Sequence, residues 1–223
     1  MGISNYYKRT AIVVGALFVS ATVFSIASGL FLGSIYEADY LSAVAANENQ
    51  VLLGVILLLT ALASVVAIPI MMFPILKKHS ESLALGYVGA RIFEGFFFAV
   101  SAISLLSLVS LSREFVNAGS SVASNFQTSG ALLLAQFNWS GILLDFPFTI
   151  SALILNYIFY KTKLIPQWLA GLGLVGGTLW LATVPFRMFD LFPESLEILA
   201  IVIAAQEMIL AAWLIVKGFN LGQ

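Results

Sequence analysis

Four charged side chains stand inside stretches that otherwise read as hydrocarbon. They are Arg91 and Glu94 in "LGYVGARIFEGFFFAVSAISLL" (85–106), Asp145 in "GILLDFPFTI" (141–150) and Glu207 in "IAAQEMILAA" (203–212). A charge at the centre of a bilayer costs about 2.5–3.5 kcal/mol on insertion scales, so it faces a partner or an aqueous site rather than lipid. Tyr87, Arg91, Glu94 and Ser101 follow one another at four, three and seven residues, which places them on one helical face. Arg91 and Glu94 can pair along that face, and pairing lowers the cost of burying either. Asn138, Gly141, Asp145, Thr149 and Asn156 fall at offsets of three, four, four and seven, again one face. Glu207, beside Gln206, has Ile203, Ala204 and Ala211 on its own face, small or apolar neighbours that allow another helix to approach.

The chemistry open to this set is that of titratable groups away from water. One arginine cannot neutralise three carboxylates, so a cluster of Arg91, Glu94, Asp145 and Glu207 carries about −2 if all ionise. Desolvation and like-charge repulsion both disfavour that state. Two readings follow. Either one acid is protonated at neutral pH or a cation binds there, or the charges form a stabilising pair with protonated acids held by neighbouring polar groups. Pro147, two residues after Asp145, cannot donate to the carbonyl of Leu143, so a kink is expected there. A carboxylate beside a loosened turn is the kind of site that broken transporter helices use.

The elements that position these residues follow from composition. The 223 residues are 61% hydrophobic and 9% charged, against roughly a quarter charged in soluble domains. Such a chain cannot cover a water-facing surface, so an integral membrane protein is expected. Spans need about 20 mostly apolar residues. Six stretches qualify, at about 11–35, 51–76, 83–111, 129–160, 167–189 and 196–216. The expected architecture is all-α: one transmembrane domain over 1–223, a single bundle of six helices. The third and fourth spans exceed the bilayer and should tilt or project. The first is too long for a signal-peptide core.

Lys8, Arg9, Lys77, Lys78, Lys161, Lys163 and Lys217 all fall on one side of a six-span arrangement. Glu37, Asp39, Glu48, Glu114, Asp190, Glu194 and Glu197 fall on the other, with Arg113. The positive-inside rule therefore puts both termini in the cytoplasm. Arg187, near the outer end of span five, is expected to snorkel to the interface. In "DYLSAVAANENQ", Leu41, Val44 and Ala45 are helically spaced, so a short interfacial helix and a plain connector both remain open. Gly29–Gly33 and Gly173–Gly177 are small-residue pairs expected to permit close helix contact within the bundle. The phenylalanines are expected to face lipid rather than form an aromatic cage.

Function classes are narrowed as well. With no cysteine and one histidine, His79, beside two lysines, cysteine and bis-histidine metal or haem sites are excluded, and a histidine-based triad is disfavoured. No metal and no cofactor is expected, and no nucleic-acid partner. The partners expected are the lipid bilayer and a small cation, proton or lipid ligand.

The stretches "NENQVLLGVILLLTALASVVAIPIMMFPILKKHSESLALGYVGARIFEG", "FQTSGALLLAQFNW" and "QEMILAAWLIVKGFN" resemble the bacterial membrane proteins grouped as domain of unknown function 4386. The resemblance extends over nearly the whole chain. It implies a bacterial or archaeal multi-pass inner-membrane protein, and it implies no activity. On the residues themselves, a small transporter or ion/proton-coupled permease ranks first. A non-catalytic sensor or accessory subunit ranks second, and a lipid-acting intramembrane enzyme third.

Overall fold

A computed structural model describes residues 3–118, 123–193 and 198–220. Seven α-helices and no strands are found among the described residues. They are α1 (Ile3–Phe31), α2 (Tyr40–Ala46), α3 (Glu48–Leu76), α4 (Glu81–Asn117), α5 (Ala123–Thr162), α6 (Gln167–Met188) and α7 (Ile198–Val216), with a 3₁₀ turn at Gly33–Tyr36. All but α2 are long and apolar enough to cross a membrane, as a multi-pass membrane protein requires. An apolar solvent leaves backbone groups no outside partner, which makes helices the natural solution for these runs.

Local sequence sets the ends. Ser80 caps α4, its hydroxyl accepting from the amide of Leu83 at 3.4 Å. Gly218, at φ +75°, ends α7 in the left-handed conformation that a helix C-terminus favours. Helices α3 and α5 run through Pro69, Pro74 and Pro147 without interruption. The expected loops at 36–50 and 112–128 are largely helical. Helix α2 occupies the first, and its Leu41 and Val44 are buried in the apolar cluster with α3 and α4. The second shrinks because α4 reaches Asn117 and α5 starts at Ala123. Residues 119–122 of that loop, and Glu194 and Glu197, lie outside the described residues.

Each long helix packs on its chain neighbours, and α7 returns to pack on α1, so the six close into a ring. The start of α1, the α3–α4 and α5–α6 connections and the segment after α7 meet at one end. There Lys78 donates to the Tyr7 hydroxyl at 3.1 Å, Asn220 donates to the carbonyl of Lys163 at 3.1 Å, and Phe219 contacts Tyr7 and Phe159. This basic end gathers the lysines of the short connections. At the opposite, acidic end Arg113 pairs with Glu48, and the Tyr40 hydroxyl donates to the carbonyl of Gln127 at 3.0 Å. Large apolar side chains such as Ile26, Leu30, Ile56, Phe93, Phe96 and Ile103 face outward from the ring.

The small-residue pairs behave differently from one another. A methyl group at Gly177 would lie 3.2 Å from Leu153, and one at Gly173 would overlap Asn156, so this pair seats α6 against α5. Gly29 and Gly33 have nothing within 4 Å, because both face outward, while Ser28 beside them is buried and donates to the Gly54 carbonyl of α3 at 2.8 Å. The close approach on α1 belongs instead to Gly15, where a methyl would sit 2.7 Å from the Ala211 carbonyl oxygen.

Candidate functional site

The ring holds a cavity of about 370 Å³, open rather than enclosed, that every long helix lines. Phe18 of α1, Val65 of α3, Arg91 of α4, Asp145 of α5, Trp180 of α6 and Glu207 of α7 are among its walls. Arg91 is 2% exposed and Glu94 3%. One terminal nitrogen of Arg91, Nη1, donates to both oxygens of Glu94, at 3.3 and 3.1 Å. The other, Nη2, crosses to α7 and donates to Oε1 of Glu207 at 3.1 Å. Arg91 and Glu94 are one helical turn apart on α4, and Glu207 reaches them because α7 closes the ring beside α1. The Glu207 side chain keeps 14% of its surface exposed, the most accessible of the three.

Asp145 does not join this triad. It pairs with Arg187 of α6, whose guanidinium also lies 5.2 Å from the Trp180 ring. The expectation that Arg187 snorkels to an interface is therefore corrected: its side chain turns back along α6 toward the carboxylate of the adjacent α5. The charge arithmetic changes with it. Two arginines oppose three carboxylates, so the formal total is −1 rather than −2. That surplus belongs to Arg91, Glu94 and Glu207, while Asp145 and Arg187 balance each other.

The supporting polar residues disperse. Tyr87 is fully buried with its ring 5.8 Å from the Arg91 guanidinium, and its hydroxyl has no hydrogen-bond partner among the described residues. Ser101 bonds Ser140 of α5 at 2.8 Å. Asn138 is exposed and, with Ser101 and Arg187, lines a separate cavity of about 230 Å³. Thr149 donates to the carbonyls of Asp145 and Phe146 in its own helix, at 2.7 and 3.0 Å. Asn156 accepts from Gln206 at 3.1 Å, next to Gly173. The face drawn from Asn138 to Asn156 thus serves several neighbours in turn, because α5 meets α4, α6 and α7 at different levels.

Aromatic residues at the site were missed from the sequence. The Arg91 guanidinium lies 5.7 Å from the Phe18 ring and 5.5 Å from that of Phe148, and Phe98 and Trp180 also line the cavity. The reading of the phenylalanines as lipid-facing holds for Phe93 and Phe96 and fails for these. A signal existed for two of them: Phe98 follows Glu94 by four residues and Phe148 follows Asp145 by three, so each shares its acid's helical face.

No curated protein and no solved structure matches the chain. The profile described as "Domain of unknown function (DUF4386)" matches residues 13–218. With that match across nearly its whole length, the chain belongs to this family.

Proposed function

We propose that the protein is a small ion- or proton-coupled permease, one transmembrane domain whose coupling site is Arg91 with Glu94 and Glu207. The observation that carries this reading is two carboxylates sharing one arginine on the wall of a cavity lined by all six long helices. A proton or cation arriving at Glu207 removes the surplus charge and weakens that residue's hold on Arg91. The α4–α7 link is an ion pair that crosses the ring, so its release alters how the two helices are held together. Loading of the site and movement of the ring are coupled in this way. The lysines gathered at one end support an orientation with both termini in the cytoplasm, in a bacterial or archaeal inner membrane.

Proteoliposomes carrying a preset pH gradient and an internal pH dye test the reading. Addition of one of a panel of inorganic or organic cations is expected to dissipate the gradient with the native protein and to leave it intact with Glu207→Gln. If no cation dissipates it while the protein remains folded, the permease reading fails. A sensor or accessory subunit then takes its place, with the ion pairs fixing helix register. The three hydrogen bonds that Arg91 makes to its two acids are the observation favouring that alternative.

A further inference from the structure

The coupling site proposed above says nothing of what the cavity accepts, and its walls are more informative on that point. The carboxylates are already engaged: both oxygens of Glu94 and one of Glu207 accept from Arg91, and Asp145 is held by Arg187. A hard metal ion requires several free oxygen ligands around one point, whereas these acids are dispersed over three helices and each is paired with an arginine, though the second oxygen of Glu207 is not. What remains is a formal surplus of −1 in a largely apolar chamber with the aromatic residues Phe18, Phe98, Phe148 and Trp180 on its walls. A volume of about 370 Å³ suits a small organic molecule. Aromatic faces attract soft organic cations, more strongly when these are desolvated.

The lining of the cavity is exposed where α1 and α7 contribute to it. Toward the basic end Gly15 brings α1 against the backbone of α7 at Ala211. Farther along, Ser25 and Ile26 of α1 and Ala200 and Ala204 of α7 line the cavity from opposite sides. Ile26 and Ala204 are exposed on the outer surface of the ring, and no charge stands between them and Glu207 on the α7 side. A molecule dissolved in the hydrocarbon meets small and apolar residues there.

We propose that the cavity binds an amphipathic organic cation, a quaternary or protonated amine or a phosphonium on an apolar body, admitted from the bilayer between α1 and α7. Glu207 is its counter-ion through the oxygen that Arg91 does not hold. The aromatic walls line its apolar body, Phe98 foremost because Phe18, Phe148 and Trp180 already face a guanidinium. This inference rests on the reading of the triad as a working site, and it specifies the class of cargo.

Equilibrium binding of radiolabelled tetraphenylphosphonium to the native protein in lipid nanodiscs, with empty nanodiscs subtracted, tests it. Saturable binding is expected, displaced by dodecyltrimethylammonium and not by choline, which has the same head without the apolar body. Glu207→Gln is expected to weaken binding by about tenfold, the order expected when one charge–charge attraction is lost. Ala204→Trp, which narrows the mouth and leaves every charge in place, is expected to slow the approach to that equilibrium, followed as a time course of bound label, with little change in melting temperature. Non-saturable binding, equal displacement by choline, or a Glu207→Gln variant that binds as the native protein does would each overturn the proposal. The two readings fail separately. Binding without cation-driven dissipation of a pH gradient removes the permease and keeps the site, whereas dissipation by sodium without tetraphenylphosphonium binding does the reverse.

Discussion

Around Tyr7, Leu76, Phe159, Leu169 and Leu214 all the long helices feed a single apolar cluster, whereas toward the acidic end the core divides. One part there joins the 3₁₀ turn and α2 to α3, α4 and the first half of α5 through Ile35, Leu41, Val55 and Leu105. A second joins α5, α6 and α7 through Ala152, Trp180 and Ile203, and a third, small one joins α1, α3 and α4 through Ala21, Val65 and Phe98. Arg91 sits where one arrangement gives way to the other. It follows Tyr87 of the common cluster by a single turn and reaches with Glu207 across the space that the divided core leaves. A bundle packed throughout like its basic end would have no cavity. One divided throughout would have nothing to hold α7 against α1. The ion pairs at the junction thus stand in for apolar contacts that the divided half does not make.

The heaviest blow to this arrangement is Arg91→Met. It leaves Glu94 and Glu207 facing each other without their shared cation, and removing one partner of a buried pair costs about 3–5 kcal/mol. Chemical unfolding in detergent should register that loss. Adding Glu94→Gln and Glu207→Gln to the same chain should restore most of it, since the neutral amides need no cation. If the triple variant is no more stable than Arg91→Met, the triad is not the link between the two halves.

Next in size is Gly15→Ala at the closed end. The new methyl would lie 2.7 Å from the Ala211 carbonyl oxygen and 2.7 Å from Cγ1 of Ile215. The isoleucine can rotate away and the backbone carbonyl cannot, so α1 and α7 must separate. Overpacking of this kind costs roughly 1–3 kcal/mol. The same measurement on Asp145→Asn should give a smaller loss, about 1 kcal/mol, between the values for exposed and buried pairs. Its side chain and that of Arg187 keep 15% and 25% of their surface exposed, and the guanidinium left behind still rests on Trp180. A loss as large as that of Arg91→Met would mean that the two ion-pair sites act as one.

The sequence displays the helices and their polar faces and conceals how the ring closes. Six apolar runs and the one-turn spacing of Arg91 and Glu94 are local facts, legible because helical period and span length are fixed by backbone geometry. Glu207 could be grouped with Arg91 and Glu94 from the cost of a charge in lipid. The route by which it reaches them is α7 packing beside α1, a contact between the first and last elements that no local pattern encodes. The withdrawal of Asp145 to Arg187 was not legible either. Arg187 was misread for the same reason: its partner lies 42 residues earlier, and a basic residue near a span end reads as an interfacial anchor until α5 is placed beside it. Gly29 and Gly15 make the point on one helix. The spaced pair at 29 and 33 looks like a packing motif, whereas the lone glycine at 15 is the one that another backbone touches.

That contrast supplies the smallest effect and a test of its own. Gly29→Ala adds a methyl where nothing lies within 4 Å, on the outward surface of α1 near its end. With no clash to oppose it, the change acts through the backbone, where alanine in a helix is favoured over glycine by roughly 0.5–1 kcal/mol. The expected outcome is a slightly raised melting temperature, opposite in sign to that of Gly15→Ala fourteen residues earlier. Equal losses at both positions would mean that the outer face of α1 at Gly29 is covered as closely as Gly15 is. A gain at Gly29 beside a loss at Gly15 separates a glycine on the open surface of α1 from one that the backbone of α7 touches, so that small-residue spacing alone does not make a packing contact.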